Sequence, residues 1–541
     1  MKKTLILLTL LTFAFLYAQE FPIATASYSQ TTPEVVFSGE QYFTVFLDKP
    51  SSYDYQFKGV FIESDGTVDN QQHQLTVSHN AMSHMEDIGW GGENYLLAWA
   101  RQRSPYDYTT DSYGIIIDSD GDPIGTQFAI SIGNTDNCNF IKIAYDGNNF
   151  LVIWQEGLPT QGARIRGQLV SPNGDLVGPN FDIRPASLSE SDSQIYPDLL
   201  FNGSEYVVVW DDDRNGNRDI YMQFVGTDGS LIGEDIQIST DTADQLLVQA
   251  AYNGTNYFLV WRDERDSSND GSIYGQVVDS EGNLIGENIA ISITENSEGR
   301  SWPDVAANSS QFLVSWEQEF STKNNKQIIV SKEKEFIYQM VGEDLDRPVI
   351  WQDVWGRKVQ SDGNMPEGAF PICDEEYHQE AVCVTSDNSD FLVTWQDSRN
   401  ENQYSDIYGI IIEGEATPSG FLEGTVTLNG GSGNVEEVII TANGSSANPE
   451  ESGYYQMELA AGNYDVTAEL AGYETFETSV EITGGNTTTL NIELNAQEYN
   501  PPENLLASVN NYNDVELTWE QPSGTGGTLS YHTGYNGYAI G

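Results

Sequence analysis

Basic side chains are scarce. The 541 residues include 23 Lys and Arg against 82 Asp and Glu, a formal charge of −59 at neutral pH. A polyanion of that strength repels phosphate backbones and anionic lipid, which excludes nucleic acid as a partner and binding at a membrane surface. Cysteine is nearly absent: Cys138, Cys373 and Cys383 are an odd count, spread too thinly for a disulfide framework. A Cys373–Cys383 bridge stays open in an oxidising compartment, although the strand reading below puts the two on neighbouring sheets. Long apolar runs are also lacking. The longest, Leu5 to Tyr17, falls short of the ~20 residues a spanning helix needs. It follows Lys2 and Lys3 and precedes the small Ala18, the layout of a secretory signal over residues 1–18. We therefore expect a secreted or cell-surface protein without membrane insertion.

Aromatics, by contrast, are abundant: 29 Tyr, 22 Phe and 11 Trp, alongside 50 Gly. That mixture supports a core and many tight turns, and argues against disorder. Self-similarity organises it. Glu40-Gln-Tyr-Phe-Thr-Val-Phe46, Asn94-Tyr-Leu-Leu-Ala-Trp99, Asn149-Phe-Leu-Val-Ile-Trp154, Glu205-Tyr-Val-Val-Val-Trp210, Asn256-Tyr-Phe-Leu-Val-Trp261, Gln311-Phe-Leu-Val-Ser-Trp316 and Asp390-Phe-Leu-Val-Thr-Trp395 are seven copies of one apolar strand. A nearly continuous apolar run expects cover on both faces. The terminal aromatics stand 53, 55, 56, 51, 55 and 79 residues apart.

A shorter strand precedes each copy across a turn such as Asp146-Gly147 or Asn253-Gly254, dipeptides suited to two-residue hairpins. A third strand with an Ile-Tyr-Gly core follows, as at Ile273-Tyr-Gly275. Then come an Asp-Gly-type turn and a fourth strand ending in an Ile-Ser pair such as Ile238-Ser239. Four antiparallel strands repeated seven times predict an all-β, seven-bladed β-propeller over residues 21–413, with a solenoid of stacked sheets as the alternative. The ends favour the ring. Phe21-Pro-Ile-Ala-Thr25 matches the fourth strand Phe370-Pro-Ile-Cys373, and the seventh unit lacks a fourth strand of its own.

A polar linker at 414–420 leads to residues 421–494. Gly424/Val426, the Gly453-Tyr454 turn, Ala461-Gly-Asn-Tyr464 and Ala471-Gly-Tyr473 make this segment resemble the carboxypeptidase regulatory-like domain, although Pro449-Glu-Glu-Ser-Gly453 replaces its usual turn. The resemblance implies a small prealbumin-like β-sandwich without catalytic residues. Residues 499–541, with Pro501-Pro-Glu-Asn-Leu505 and Val515-Glu-Leu-Thr-Trp519, resemble the first strands of a fibronectin type III domain, here truncated. The combination is similar to surface proteins of gliding and polymer-degrading bacteria.

Chemistry is sparsely signalled. Trp-x-Asp-x-Arg recurs at Trp210/Asp212/Arg214, Trp261/Asp263/Arg265 and Trp395/Asp397/Arg399. It lies on the face that carries the more variable links, where binding loops usually sit. The Asp and Arg residues are the candidate ligand face, unless they are a repeated loop-stapling salt bridge. An insert near 320–346 carries Lys323, Lys326, Lys332 and Lys334 and is a candidate partner loop or a solvated hairpin. Asp118-Ser-Asp-Gly-Asp122 has calcium-loop spacing without the closing Glu, so calcium is the one cofactor considered. His73, His79 and His84 do not follow zinc spacings and are expected at the surface. Motifs for a serine, zinc-peptidase or sialidase site are absent. The expectation is a monomeric, non-catalytic secreted or cell-surface protein for adhesion or glycan capture, its partner an extracellular glycan or protein. The alternative is a polysaccharide-active hydrolase or lyase, or an accessory part of a larger secreted hydrolase or peptidase.

Overall fold

The computed structural model describes residues 19–520 except 52–53, 77–82, 105–106, 132–136, 159–161, 184–188, 190, 267–269, 294–298, 321–350, 376, 400–403, 415–418, 443–444, 485, 498–502 and 510–514. The expected signal segment, the lysine-bearing insert and most of the linker thus lie outside the described residues. The chain divides into two compact units, residues 1–416 and 417–541.

The first unit is a closed ring of seven four-stranded antiparallel sheets. Blades 1 to 7 begin with the inner strands Ser29–Phe37, Ser83–Trp90, Cys138–Tyr145, Gln194–Phe201, Gln245–Tyr252, Arg300–Ala307 and Gln379–Ser386, each packed against the next around the circle. Blades 1 to 6 complete themselves in chain order. Blade 7 takes its outer strand from the other end of the chain: Phe21–Ala24 pairs with Asp406–Ile412, Phe21 opposite Gly409 and Pro22 opposite Tyr408. The unit is a seven-bladed propeller, fastened by its first strand.

Burial explains why the second strands are so largely apolar up to their terminal aromatics. Tyr206–Asp212 in blade 4 is buried at every position. Successive side chains of a strand point to opposite faces, and here both faces meet another blade. Tyr206, Val208 and Trp210 pack back onto Leu151 and Ile153 of blade 3. Val207 and Val209 pack forward onto Tyr257, Leu259 and Trp261 of blade 5. The same exchange occurs at every junction, including blade 7 to blade 1, where Phe46 and Tyr42 meet Leu392 and Ile407. Phe46, Trp99, Trp154, Trp210, Trp261, Trp316 and Trp395 are all fully buried between blades.

The second unit opens with a two-sheet sandwich. One sheet is built on Ser419–Asn429, paired with Tyr454–Ala460 and, in parallel, with Thr487–Thr489 and Ile492–Asn495. The other contains Ile439–Ala442, Ser445–Ala447, Gly462–Glu469 and Phe476–Ile482. Leu422, Ile440, Tyr455, Met457, Val466 and Leu494 fill the space between. Gly424 is required by close approach, since a Cβ there would lie 1.8 Å from the Leu490 carbonyl oxygen. Beyond it Glu503–Val509 pairs with Val515–Glu520. The remainder of the expected third module, 521–541, lies outside the described residues. Among the described residues no helix is long and apolar enough to cross a membrane.

Trp210→Ala is expected to destabilise the propeller by ~3–5 kcal/mol, as a large-to-small change in a packed core. Denaturant unfolding checks this, and a loss near zero would contradict packing between blades.

Candidate functional site

Every inner strand carries a bulge near its start, where two of its residues stand against one of the second strand: between Thr31 and Glu34 in blade 1, Ile195 and Asp198 in blade 4, and Ser301 and Asp304 in blade 6. One bulged residue is left-handed. Thr32 (φ +49°), Phe140 (+51°), Tyr196 (+50°), Leu247 (+59°), Trp302 (+48°) and Ala381 (+53°) mark blades 1, 3, 4, 5, 6 and 7. Non-glycine residues adopt this conformation at a cost of ~1–3 kcal/mol each, so the ring must impose it.

The residue that resumes the register differs from blade to blade: Glu34, Asp87, Lys142, Asp198, Gln249, Asp304 and Cys383. These side chains converge on the propeller axis. Inner strands have an unpaired edge, and neighbouring carboxylates meet its N–H groups. Asp87 Oδ2 accepts from Ile143 N at 2.6 Å, Asp198 Oδ2 from Ala250 N at 2.9 Å, and Asp304 Oδ2 from Val384 N at 2.7 Å. Each bond ties one blade to the next. Lys142 Nζ stands 3.6 Å from Asp198 Oδ1 and donates to Gln249 Oε1 at 3.3 Å. One ammonium thus faces the carboxylates of Glu34, Asp87, Asp198 and Asp304.

Burial raises the Asp304 carboxyl to about 6 and that of Asp87 to about 7, with Lys142 acting in the opposite sense. Burial also holds Glu34 well above the carboxylate range. For Lys142 burial favours the neutral amine, but Asp198, Glu34, Asp87 and Asp304 outweigh it and keep the ammonium charged.

The Trp-x-Asp-x-Arg repeats end the second strands and close on themselves. Trp210 Nε1 donates to Asp212 Oδ2 at 2.9 Å, and the Arg214 guanidinium grips the same carboxylate through Nε (2.8 Å) and Nη2 (2.7 Å). Arg214 also reaches Asp235 and lies 3.8 Å above the Tyr221 ring. Trp261/Asp263/Arg265 over Tyr274 and Trp395/Asp397/Arg399 over Tyr408 repeat the arrangement, with indole-to-carboxylate bonds of 2.8 Å. Asp212, Asp263 and Asp397 expose no side-chain surface. Only guanidinium edges of the candidate ligand face reach solvent. Arg399 also pairs with Glu20, just ahead of the closing strand, at 2.7 Å. Glu156 stands where these blades have Asp, and the Trp154 Nε1 beside it has no acceptor.

On the same face a cleft of about 210 Å³ opens among blades 4, 5 and 6. Its apolar wall is the bulge collar: Tyr196, Leu246, Leu247 and the half-buried Trp302. Phe140 packs edge-on to Tyr196, ring centroids 4.6 Å apart. The other wall is charged. Arg262 pairs with Glu264 at 3.1 Å, and the Arg218 backbone N–H donates to Asp244 Oδ1 at 2.9 Å.

Neither the axial ring nor the cleft is anticipated by sequence reading. A signal exists for the ring, in the residue before each first-strand apolar pair, as in Asp87-Ile88, Lys142-Ile143, Asp198-Leu199 and Asp304-Val305. Elsewhere Cys138, Cys373 and Cys383 are buried and form no disulfide, so the Cys373–Cys383 bridge does not form. His73 is buried rather than at the surface, edge-on to Phe61 and beside Gly121 of the next blade; His79 lies outside the described residues. Asp118 Oδ1 accepts from the N–H groups of Asp120 (3.1 Å) and Asp122 (2.8 Å), shaping the turn. Among the described residues no three His, Cys, Asp or Glu side chains are grouped to hold a metal ion.

Residues 422–495 match the carboxypeptidase regulatory-like domain. The regulatory-like domain accounts for the sandwich of the second unit. No curated protein matches the chain. Solved structures similar to it include the Dos1 propeller, with 10% identity over 73% of this chain and 95% of that one and a TM-score of 0.39. A protein of unknown function from Dyadobacter fermentans has 9% identity over 62% and 95%, TM-score 0.41. The Trypanosoma rangeli sialidase has 10% identity over 73% and 59%, TM-score 0.37. None of them carries an activity or ligand over to this chain.

Two outcomes follow from the geometry. Trp210→Phe is expected to cost ~1.5–3 kcal/mol more than Trp154→Phe, because only the former removes a hydrogen bond to a buried carboxylate; equal losses on denaturant unfolding would contradict the staple. The second concerns pH. The folded-state value of Asp304 is raised, so its charging opposes folding as pH climbs from the unfolded carboxylate range to about 6, and the cost persists above. Asp304→Asn keeps an acceptor for Val384 and removes that cost. The variant is expected to gain stability relative to the parent between pH 4 and 7, and a pH-independent difference would contradict this.

Proposed function

We propose that the chain is an exported, non-catalytic binding protein that captures an extracellular glycan on the loop-bearing face of its propeller. The cleft of blades 4 to 6 carries this reading: aromatic and aliphatic side chains form one wall and fixed charge pairs the other. Concave, mostly apolar sites with a few oriented polar groups are the usual form of small-ligand recognition. The apolar leader of residues 5–17 supports export, and the regulatory-like domain supports an accessory, surface-directed architecture.

One observation favours a hydrolase or lyase instead. Two axial carboxyls, Asp87 and Asp304, are raised to about 7 and about 6, the range of a general acid. Against it, each is held by a backbone N–H of the next blade, which is a structural use of the group. Glycan-array binding run beside a polysaccharide-degradation assay separates the two. We expect retained glycans and no released products. Product release that disappears in a folded Asp304→Asn variant would establish the enzyme and overturn the binding reading.

A further inference from the structure

Resting on that binding reading, we infer that the cleft between Tyr196, Leu247 and Trp302 is a subsite for a single neutral sugar ring, and that it discriminates against acidic sugars. Two arginines line the cleft: the Arg262 guanidinium is paired with Glu264 at 3.1 Å, while Arg218 donates its backbone N–H to Asp244 Oδ1 at 2.9 Å and lies beside the fully buried Asp211. Around them the chain carries a formal charge of −59. A uronate or sialate therefore enters a repulsive field, at a cleft whose Arg262 is already committed to Glu264. A cationic ligand meets guanidiniums instead of free carboxylates. An uncharged polyol fits both walls.

Hydroxyl groups donate and accept, which matches guanidinium N–H groups beside carboxylate oxygens. Such charge-assisted bonds are the stronger kind. The C–H face of a pyranose is apolar and suits the wall formed by Trp302, Tyr196, Leu246 and Leu247. Size limits the ligand. A volume of about 210 Å³ falls below the ~300–1,000 Å³ of sites for drug-sized molecules, so one ring enters and the rest of a chain lies outside.

Trp302→Leu is the decisive variant. Leucine already occupies the equivalent left-handed bulge position at Leu247, so the substitution suits the local backbone. Calorimetric titration of the full chain would use neutral gluco-, galacto- and manno-oligosaccharides and their uronate counterparts. Unfolding curves would check that the variant is folded. We expect a neutral sugar to bind, uronates to bind more weakly, and Trp302→Leu to lose about tenfold in affinity, the equivalent of one strong aromatic contact. Uronates binding more tightly, with affinity falling as salt rises, would overturn the inference while leaving glycan capture standing. Neutral binding unchanged in Trp302→Leu would displace the subsite and again spare that reading. No binding by any glycan would overturn both.

Discussion

Each blade of this propeller is held because its second strand has no solvent face. A nearly continuous apolar strand is useless alone, and half its side chains would remain in water in a single sheet. The ring removes that deficit. Val207 and Val209 go forward to blade 5 while Val208 and Trp210 go back to blade 3, so no blade is complete without two neighbours. The requirement can be met for every unit only if the last blade also has a successor. Pairing of Phe21–Ala24 with Asp406–Ile412, and the cluster of Phe46 and Tyr42 with Leu392 and Ile407, supply it. A closed ring also hides sheet edges that would otherwise be open to pairing.

Seven blades converging on one axis create a second requirement. Inner strands turn an unpaired edge toward a narrow lumen, and their N–H groups need acceptors. The bulges meet this need. In blades 2, 4 and 6 the bulge resets the register so that Asp87, Asp198 and Asp304 reach the backbone of the following blade. Burying several carboxylates there is unfavourable, with their mutual repulsion a smaller addition, and raised proton affinities register the cost. Lys142 offsets part of it from the centre. At the mouth the same bulges project Phe140, Tyr196, Leu247 and Trp302 as an apolar collar, and the cleft is a by-product of that geometry.

Much of this architecture is legible in the amino-acid order. The apolar second strands and their terminal aromatics repeat so plainly that blade number and the ring follow, because a nearly continuous apolar run of about five residues needs cover on both faces. Gly121 and Gly229 are equally readable, since their turns need positive φ and abut His73 and Phe181 of the preceding blade. The bulges are not legible. Thr32, Phe140, Tyr196, Leu247, Trp302 and Ala381 share no chemistry, and nothing in their side chains favours a left-handed backbone; the surrounding ring enforces it. The axial ring escapes notice for a related reason. In a chain so rich in acids, one more Asp before an apolar strand carries no contrast. The repeated Trp-x-Asp-x-Arg is conspicuous, yet the structure commits its carboxylates to indole and guanidinium groups, whereas the cleft draws on residues that never recur.

Closure of the ring by the first strand is the claim on which blade packing, the axial ring and the cleft all depend. Cysteines introduced together at Pro22 and Tyr408, which face each other across the closing pair, test it directly. Mild oxidation of the native protein, proteolysis between the two positions and a non-reducing gel give the readout. The account predicts one disulfide that holds the two fragments together under non-reducing conditions. Two freely alkylated thiols and separable fragments in the native protein would contradict it.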